Sequence, residues 1–238
     1  MIIQGISISG TVVYDGSFVS SGALLYLDPG NSASYSGSGL TWTDLSSNAN
    51  NATLNGPPTF TSAGTASYFS FNGTGTQYAI TTAAKFNTAY TGKTVMVAAR
   101  MANSSFSTGA YRCLFGTNGG SRNFNTYMYF DGSNFKLHFS AGGGGGFSNN
   151  LSIAYMQWLV IAVTQTTGGL VTYYVNGQAV GTNTGITFAQ YASNSGEFVG
   201  LGDNYWYGDI GVTAVYGRAL SADEIKQNYN AYRATYGL

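Results

Sequence analysis

Short apolar runs alternate with turn residues along most of the chain. The clearer runs are Leu24–Leu27, Tyr68–Phe71, Val95–Ala99, Tyr127–Phe130, Phe135–Phe139, Trp158–Val163, Val171–Val175, Phe198–Leu201 and Ile210–Tyr216. Each has the length of a strand and is rich in β-branched and aromatic residues, which suit a pleated, half-buried surface. Asp131-Gly132 and Asn176-Gly177 fall between runs, where a hairpin turn needs positive φ. Many short strands punctuated in this way predict an all-β sandwich or barrel. Gly142 to Gly146 is an unbroken glycine run, and the ordering cost of glycine predicts a flexible loop there.

The two ends depart from this pattern. Ile6, Ile8 and Val12 fall on alternate positions around a glycine, and Gly16 to Gly22 reads as a small polar linker. Residues 1–22 are therefore set apart from a main domain of residues 23–238. Two readings of them fit equally: an arm that docks on a neighbouring subunit, or an edge strand of the same domain. At the other end, Ser221 and Glu224 have the spacing of a capping box. Ala222, Ile225, Tyr229, Tyr232 and Tyr236 then form one apolar stripe, with Gly237 placed to end the helix. Asp223 and Glu224 lie in the first turn, where carboxylates complement the helix dipole, so their adjacency needs no catalytic explanation.

Charge changes the picture. The chain has 238 residues, 9 Lys plus Arg, 9 Asp plus Glu, and a net charge of zero; charged residues make up 8% of it. Soluble domains average roughly 25%. So neutral a surface lacks the clustered cations that nucleic-acid binding requires, and it promotes association with other copies or other proteins. No run is long enough to span a bilayer, and the first residues lack the basic and apolar regions of a signal peptide. Cys113 is the single cysteine, inside an apolar run, and is expected to be a buried, inert thiol.

Three segments resemble the laminin G-like, concanavalin A-like superfamily. They are Trp158–Thr164 with Val171–Gln178, like its central tryptophan strand and following hairpin; Gly208–Ser221, like its closing strand leading into the helix; and Tyr68–Gly73, like its aromatic strand ending in Asp/Asn-Gly. The resemblance covers roughly residues 23–236. It implies a two-sheet antiparallel jelly-roll sandwich with one C-terminal helix. Leu25–Asn31, Tyr35–Gly39, Thr41–Ser46 and Asn50–Gly56, together with Tyr216–Tyr229 and Tyr236–Leu238, are similar to laminin G-like domains of tailed-bacteriophage virion proteins. That likeness implies a place on the virion, in a capsid decoration protein or a tail fibre. The partners would be other virion proteins and further copies of the chain, with cell-surface glycan as a candidate ligand.

The chemistry expected of the chain is binding. Glycosidases need two carboxyls facing each other across the sugar, and the superfamily's hydrolases carry acid-rich strands. Here Glu197 and Glu224 are the only glutamates, no strand holds two acids, and His138 is the only histidine. No enzyme is expected, and His138 reads as a strand residue. Flat aromatic faces beside amides and carboxylates suit a sugar, and Asp203, Asn204, Tyr205, Trp206 and Tyr207 form the leading candidate site. Three readings of that loop stay open: a ligand site, a subunit contact, or core packing. The alternative to the virion reading is a free carbohydrate-binding lectin, which predicts that Trp206→Ala abolishes glycan binding and spares the fold. Arg122 to Asn125 is a weaker candidate. Calcium sites are common in the family. Asp28, Asp44, Asp203 and Asp209 are available singly, but Asn72 stands where an acidic residue is usual, so no metal or other cofactor is expected.

Overall fold

The computed structural model describes residues 16–81, 90–102, 106–117, 124–141, 144–187, 197–201 and 204–238. Strands numbered along the chain form two sheets. The first has the order β14 (Gln178–Asn183), β13 (Val171–Val175), β12 (Trp158–Thr166), β7 (Gly92–Met101), β16 (Tyr207–Tyr216), β5 (Ala66–Asn72), β4 (Thr59–Ala63), and β1 (Ala23–Leu27) also pairs with β16. The second has the order β11 (Gly144–Phe147), β10 (Phe135–Ala141), β9 (Asn125–Phe130), β8 (Ala110–Thr117), β15 (Glu197–Val199), β6 (Tyr78–Thr81), β3 (Ala52–Asn55), β2 (Thr41–Trp42). All the pairings are antiparallel. The sheets pack face to face as a sandwich of the jelly-roll lectin type, closed by one helix, α1 (Ala222–Tyr232).

Two apolar layers hold this architecture. Between the sheets lie Leu25, Leu27, Trp42, Phe69, Val95, Val97, Phe115, Leu137, Phe139, Val163, Tyr173 and Ile210. On the outer side of the first sheet, Met96, Ala98, Val160, Ala162, Val212 and Ala214 meet Ile225, Tyr232 and Tyr236 of the C-terminal segment. The central strands β7, β12 and β16 are therefore buried on both faces. That is why Val95–Ala99, Trp158–Val163 and Ile210–Tyr216 read as unbroken apolar runs rather than alternations. Each such side chain fully buried stabilises the fold by about 1.5–3 kcal/mol.

The helix starts where the spacing predicts. The Ser221 hydroxyl accepts the Glu224 amide at 3.2 Å, and the Glu224 carboxylate accepts the Ser221 amide at 2.9 Å. Arg218 adds a two-pronged ion pair to Glu224. Ile225, Tyr232 and Tyr236 are buried, but Ala222 is exposed and Tyr229 half-buried. The helix ends at Tyr232, short of Gly237, which takes φ +69° in the turns that follow.

Two local readings change. Gly144–Phe147 forms strand β11 rather than a loop: it pairs in register with β10, and a Cβ on Gly145 would stand 2.8 Å from the Phe139 carbonyl oxygen. The glycines there permit close approach of backbones. The linker expected at residues 16–22 is packed onto the domain. Phe18 stacks on Tyr26 at 4.1 Å, and Val19 is buried beneath the helix. The Val19 amide donates to Asn228 Oδ1 at 2.8 Å, and the Tyr216 hydroxyl donates to the Val19 carbonyl at 2.8 Å. No structural break therefore separates residue 22 from residue 23; residues 1–15 lie outside the described residues.

Candidate functional site

The loop from β15 to β16 carries the leading sequence candidates. Asp203 lies outside the described residues. The Asn204 carbonyl accepts the Cys113 amide at 3.1 Å, and the Trp206 amide donates to the Gly200 carbonyl at 2.9 Å. The loop is thus tied to β8 and folded back on itself, which fixes its alternation. Trp206 points inward and is 1% exposed, packed in the layer between the sheets. Tyr205 and Tyr207 point outward, 37% and 40% exposed. Trp206 therefore has no face to offer a ligand, and Trp206→Ala would excavate the core rather than test recognition.

The two tyrosines stand over the turn that follows β5. A Cβ on Gly75 would lie 2.6 Å from the Tyr205 hydroxyl, and one on Gly73 would lie 2.9 Å from Tyr207 Cβ. Glycine at both positions lets the rings settle against the turn. Tyr207 is also the register partner of Asn72. Around them the turn presents short polar groups in fixed positions. Asn72 Oδ1 accepts the Thr74 amide at 3.0 Å and its hydroxyl at 2.7 Å; Gln77 Oε1 accepts the Asn72 amide at 2.8 Å; the Thr74 and Thr76 hydroxyls meet at 2.9 Å. The result is a shelf at one end of the sandwich, with two aromatic faces beside hydroxyls and amides. Such surfaces stack on the apolar faces of pyranose rings and hydrogen-bond their rims.

Beyond Tyr207 the same sheet face continues into a closed ion pair. Arg100 contacts Asp209 at 2.6 Å, and the Ser70 hydroxyl donates to the same carboxylate at 2.6 Å. The guanidinium lies 5.2 Å from the Tyr68 ring centre and 5.0 Å from that of Trp158. Both charges are engaged within the protein, so this flank adds shape rather than net field.

Sequence reasoning missed a second aromatic surface. On the outer side of the second sheet, Tyr111, Tyr129, His138 and Phe147 sit on four adjacent strands. Their rings lie 4.5 Å (Tyr111–Tyr129), 4.5 Å (His138–Phe147) and 5.0 Å (Tyr129–Phe147) apart. Lys136, paired with Asp131 at 3.0 Å, borders them, and Phe147 is 37% exposed. The alternation of Tyr127 with Tyr129, and of Lys136 with His138, was the available signal, but only strand register brings these positions side by side. The weaker candidate divides. Arg122 and Asn123 lie outside the described residues, Phe124 is buried in the core, and Asn125 is buried with its amide donating to the Tyr127 hydroxyl at 2.7 Å.

Two of the aspartates available singly, Asp28 and Asp44, are occupied elsewhere. Asp44 accepts the amides of Tyr26, Ser46 and Asn50 and the Ser46 hydroxyl, organising the chain after β2. Asp28 accepts the Gly30 amide and the Tyr232 hydroxyl. Among the described residues, no three His, Cys, Asp or Glu side chains gather as a metal cluster. At the end of the sandwich opposite the shelf, Glu197 and Lys93 are both 2% exposed. Burial pushes the Glu197 carboxyl up to about 7, with the Thr81 hydroxyl and Lys93 working against the rise. Burial holds Lys93 down to about 8, opposed by Glu197.

These features meet in a known family. Residues 72–226 match the laminin G-like model described as the concanavalin A-like lectin/glucanases superfamily, and the chain belongs to that superfamily. No curated protein sequence matches it significantly. Among solved structures, it is similar to domain 4 of AbnA, an extracellular arabinanase from Geobacillus stearothermophilus, in complex with arabinotriose. That match has 16% identity and TM-score 0.65, over 87% of this chain and 98% of that one. It is also similar to the receptor binding domain of the botulinum neurotoxin C/D mosaic serotype, at 12% identity and TM-score 0.68, over 89% and 51%. A third is the botulinum neurotoxin type C structure concerned with two ganglioside molecules in cell entry, at 14% identity and TM-score 0.67, over 90% and 52%. The chain spans about half the length of those toxin chains. At these identities the likeness is one of fold.

Proposed function

We propose that this domain is a glycan-binding lectin displayed on a bacteriophage particle, and that it holds its sugar without cleaving it. The observation that carries the reading is the shelf: Tyr205 and Tyr207, exposed and fixed over Gly73 and Gly75, beside the amide and hydroxyl groups of Asn72, Thr74 and Thr76. The arabinotriose and gangliosides named with the structural relatives support sugar as the ligand class. The particle is supported by the likeness of the opening and closing motifs to virion domains and by a charge-poor surface suited to packing among other proteins. Binding without turnover is supported by the engaged acids. Glu197 is buried, Glu224 serves the helix cap, and Asp209 is held by Arg100 and Ser70.

A glycan array followed by calorimetry on the best ligand tests the reading. Tyr205→Ala and Tyr207→Ala are expected to weaken binding by roughly tenfold or more each, about 1.4 kcal/mol, and, because each ring is partly packed on the turn, to lower folding stability by about 1–2 kcal/mol while leaving the domain folded. Phe147→Ala on the second aromatic surface is expected to leave affinity unchanged. Full affinity in both tyrosine variants, or no glycan bound at all, would overturn the shelf. The particle is tested separately, by proteomics of density-purified virions; absence of the chain from them would overturn that half.

A further inference from the structure

Among the described residues the two sheets have five edge strands, β14, β4 and β1 in the first and β11 and β2 in the second, and four of them are covered or cut short. The free side of β1 is taken by the Leu45 amide and the Asn50 side chain, which donate to the Tyr26 and Leu24 carbonyls at 2.8 Å and 2.7 Å. The β14 edge is capped by the Asn149 amide, which donates to the Val180 carbonyl at 3.0 Å. β11 lies beside it, with Gly146 set against the Asn183 side chain, so these two edges close on each other. β2 has two residues, and the Thr43 amide just beyond it donates to the Ser34 carbonyl at 2.7 Å. The remaining edge, β4, is different. It pairs with β5 in unbroken register from Thr59↔Ser70 to Ala63↔Ala66, with no bulge. Among the described residues, nothing hydrogen-bonds to its free side.

Edge strands in soluble proteins are ordinarily blunted by a charge, an internal proline, a bulge or a covering segment. The β4 sequence Thr-Phe-Thr-Ser-Ala has none of these devices. The strand is also held in place: Phe60 packs edge-on to Tyr35 at 4.9 Å and lies 5.5 Å from Phe69. A rigid strand with open N–H and C=O groups is organised in advance for pairing, and little ordering entropy is lost when a partner arrives.

We propose that β4 is a homodimer interface, in which the first sheet continues through a two-fold axis into β4 of a second copy. A strand paired antiparallel with itself is self-complementary, which a two-fold contact requires. Identical side chains then meet at the axis, so the absence of charge on β4 removes the repulsion that would oppose the contact. The central residue, Thr61, sits half-buried on the outer side, where it faces its own copy across the axis.

Light scattering on the full chain tests this with a charge exchange at that position. The wild type is expected at twice the chain mass. Thr61→Lys and Thr61→Glu, each placing like charges opposite each other, are expected at the monomer mass, with dimer affinity lowered roughly a hundredfold. An equimolar mixture of the two is expected to regain the dimer mass, which a misfolded variant would not do. A wild type that stays monomeric would overturn the proposal. So would a dimer whose mass survives Thr61→Lys, including one that dissociates only when residues 1–15 are removed.

Discussion

Glu197 and Lys93 illustrate how two residues can set the response of this fold to pH. The folded chain holds the Glu197 proton up to about 7, against an ordinary value of 4.5, because burial penalises the carboxylate. Its contribution to stability is therefore complete below pH 4.5 and is lost as pH rises through 7. Lys93 behaves in the opposite sense. Burial lowers its value from 10.5 to about 8, so its contribution is present above pH 10.5 and lost as pH falls to 8. Stability should then decline from pH 4.5 to 7 and recover from pH 8 to 10.5. Glu197→Gln keeps an acceptor for the Thr81 hydroxyl and removes the titration. Urea denaturation at pH 4.5 and pH 7 is expected to show the wild type losing on the order of 2–3 kcal/mol across that interval and the variant losing little of it. Equal losses in both proteins would assign the slope to other groups.

The C-terminal helix does more than cover the first sheet. Its capping box and apolar stripe seat it, but a polar residue within the buried face, Asn228, joins three segments. Its side chain accepts the Val19 amide at 2.8 Å and donates to the Tyr216 hydroxyl at 2.9 Å, with Asn228 wholly buried. Asn228→Ala leaves the buried Val19 amide unpaired and removes one of the two bonds of the Tyr216 hydroxyl, a loss of about 1–3 kcal/mol. Residues 17–22 should then open locally before the sandwich does. Limited proteolysis is the direct measurement: cleavage within 17–22 should accelerate in the variant while the strands stay protected. Protection at wild-type level would mean that the remaining contacts, Phe18 stacking, Val19 burial and the Arg218 bonds to the Ser21 carbonyl, suffice to hold the segment.

At the scale of the molecule, the sandwich and its N-terminal approach form one packed body from residue 17 onward. A chain beginning at residue 16 keeps Phe18 against Tyr26 and Val19 under the helix, whereas one beginning at residue 23 loses both. The second is expected to be about 2–4 kcal/mol less stable than the first, from the apolar burial removed. Chemical denaturation of the two truncated chains measures the difference. Indistinguishable midpoints would show residues 17–22 to be an appendage and return the boundary to residue 22. The aromatic shelf lies at the Met101 end of β7, and Glu197 with Lys93 at the other, so the pH response and the proposed recognition occupy opposite ends of the sandwich.

Local composition by itself determined much of this. Strand-length apolar runs, Asn176-Gly177 with φ +51° and +74°, and the Ser221–Glu224 box are settled within a few residues of chain, so sequence spacing suffices to read them. The doubly buried strands were legible as runs, though their cause, a helix over the outer face, lies far along the chain. Only tertiary structure decided the rest. Three adjacent aromatics, Tyr205 to Tyr207, look equivalent in sequence; strand alternation could say that they diverge, but not which one enters the core. The hydrogen bond from Cys113 to Asn204 and the β16 register made that choice, burying Trp206 and leaving the tyrosines outside. Gly144 to Gly146, within a glycine run that reads as loop, becomes strand only because β10 lies beside it. The aromatic surface of Tyr111, Tyr129, His138 and Phe147 exists only because four strands align in register. Local chemistry fixes what a segment can be, while pairing between distant segments fixes which of its faces meets water.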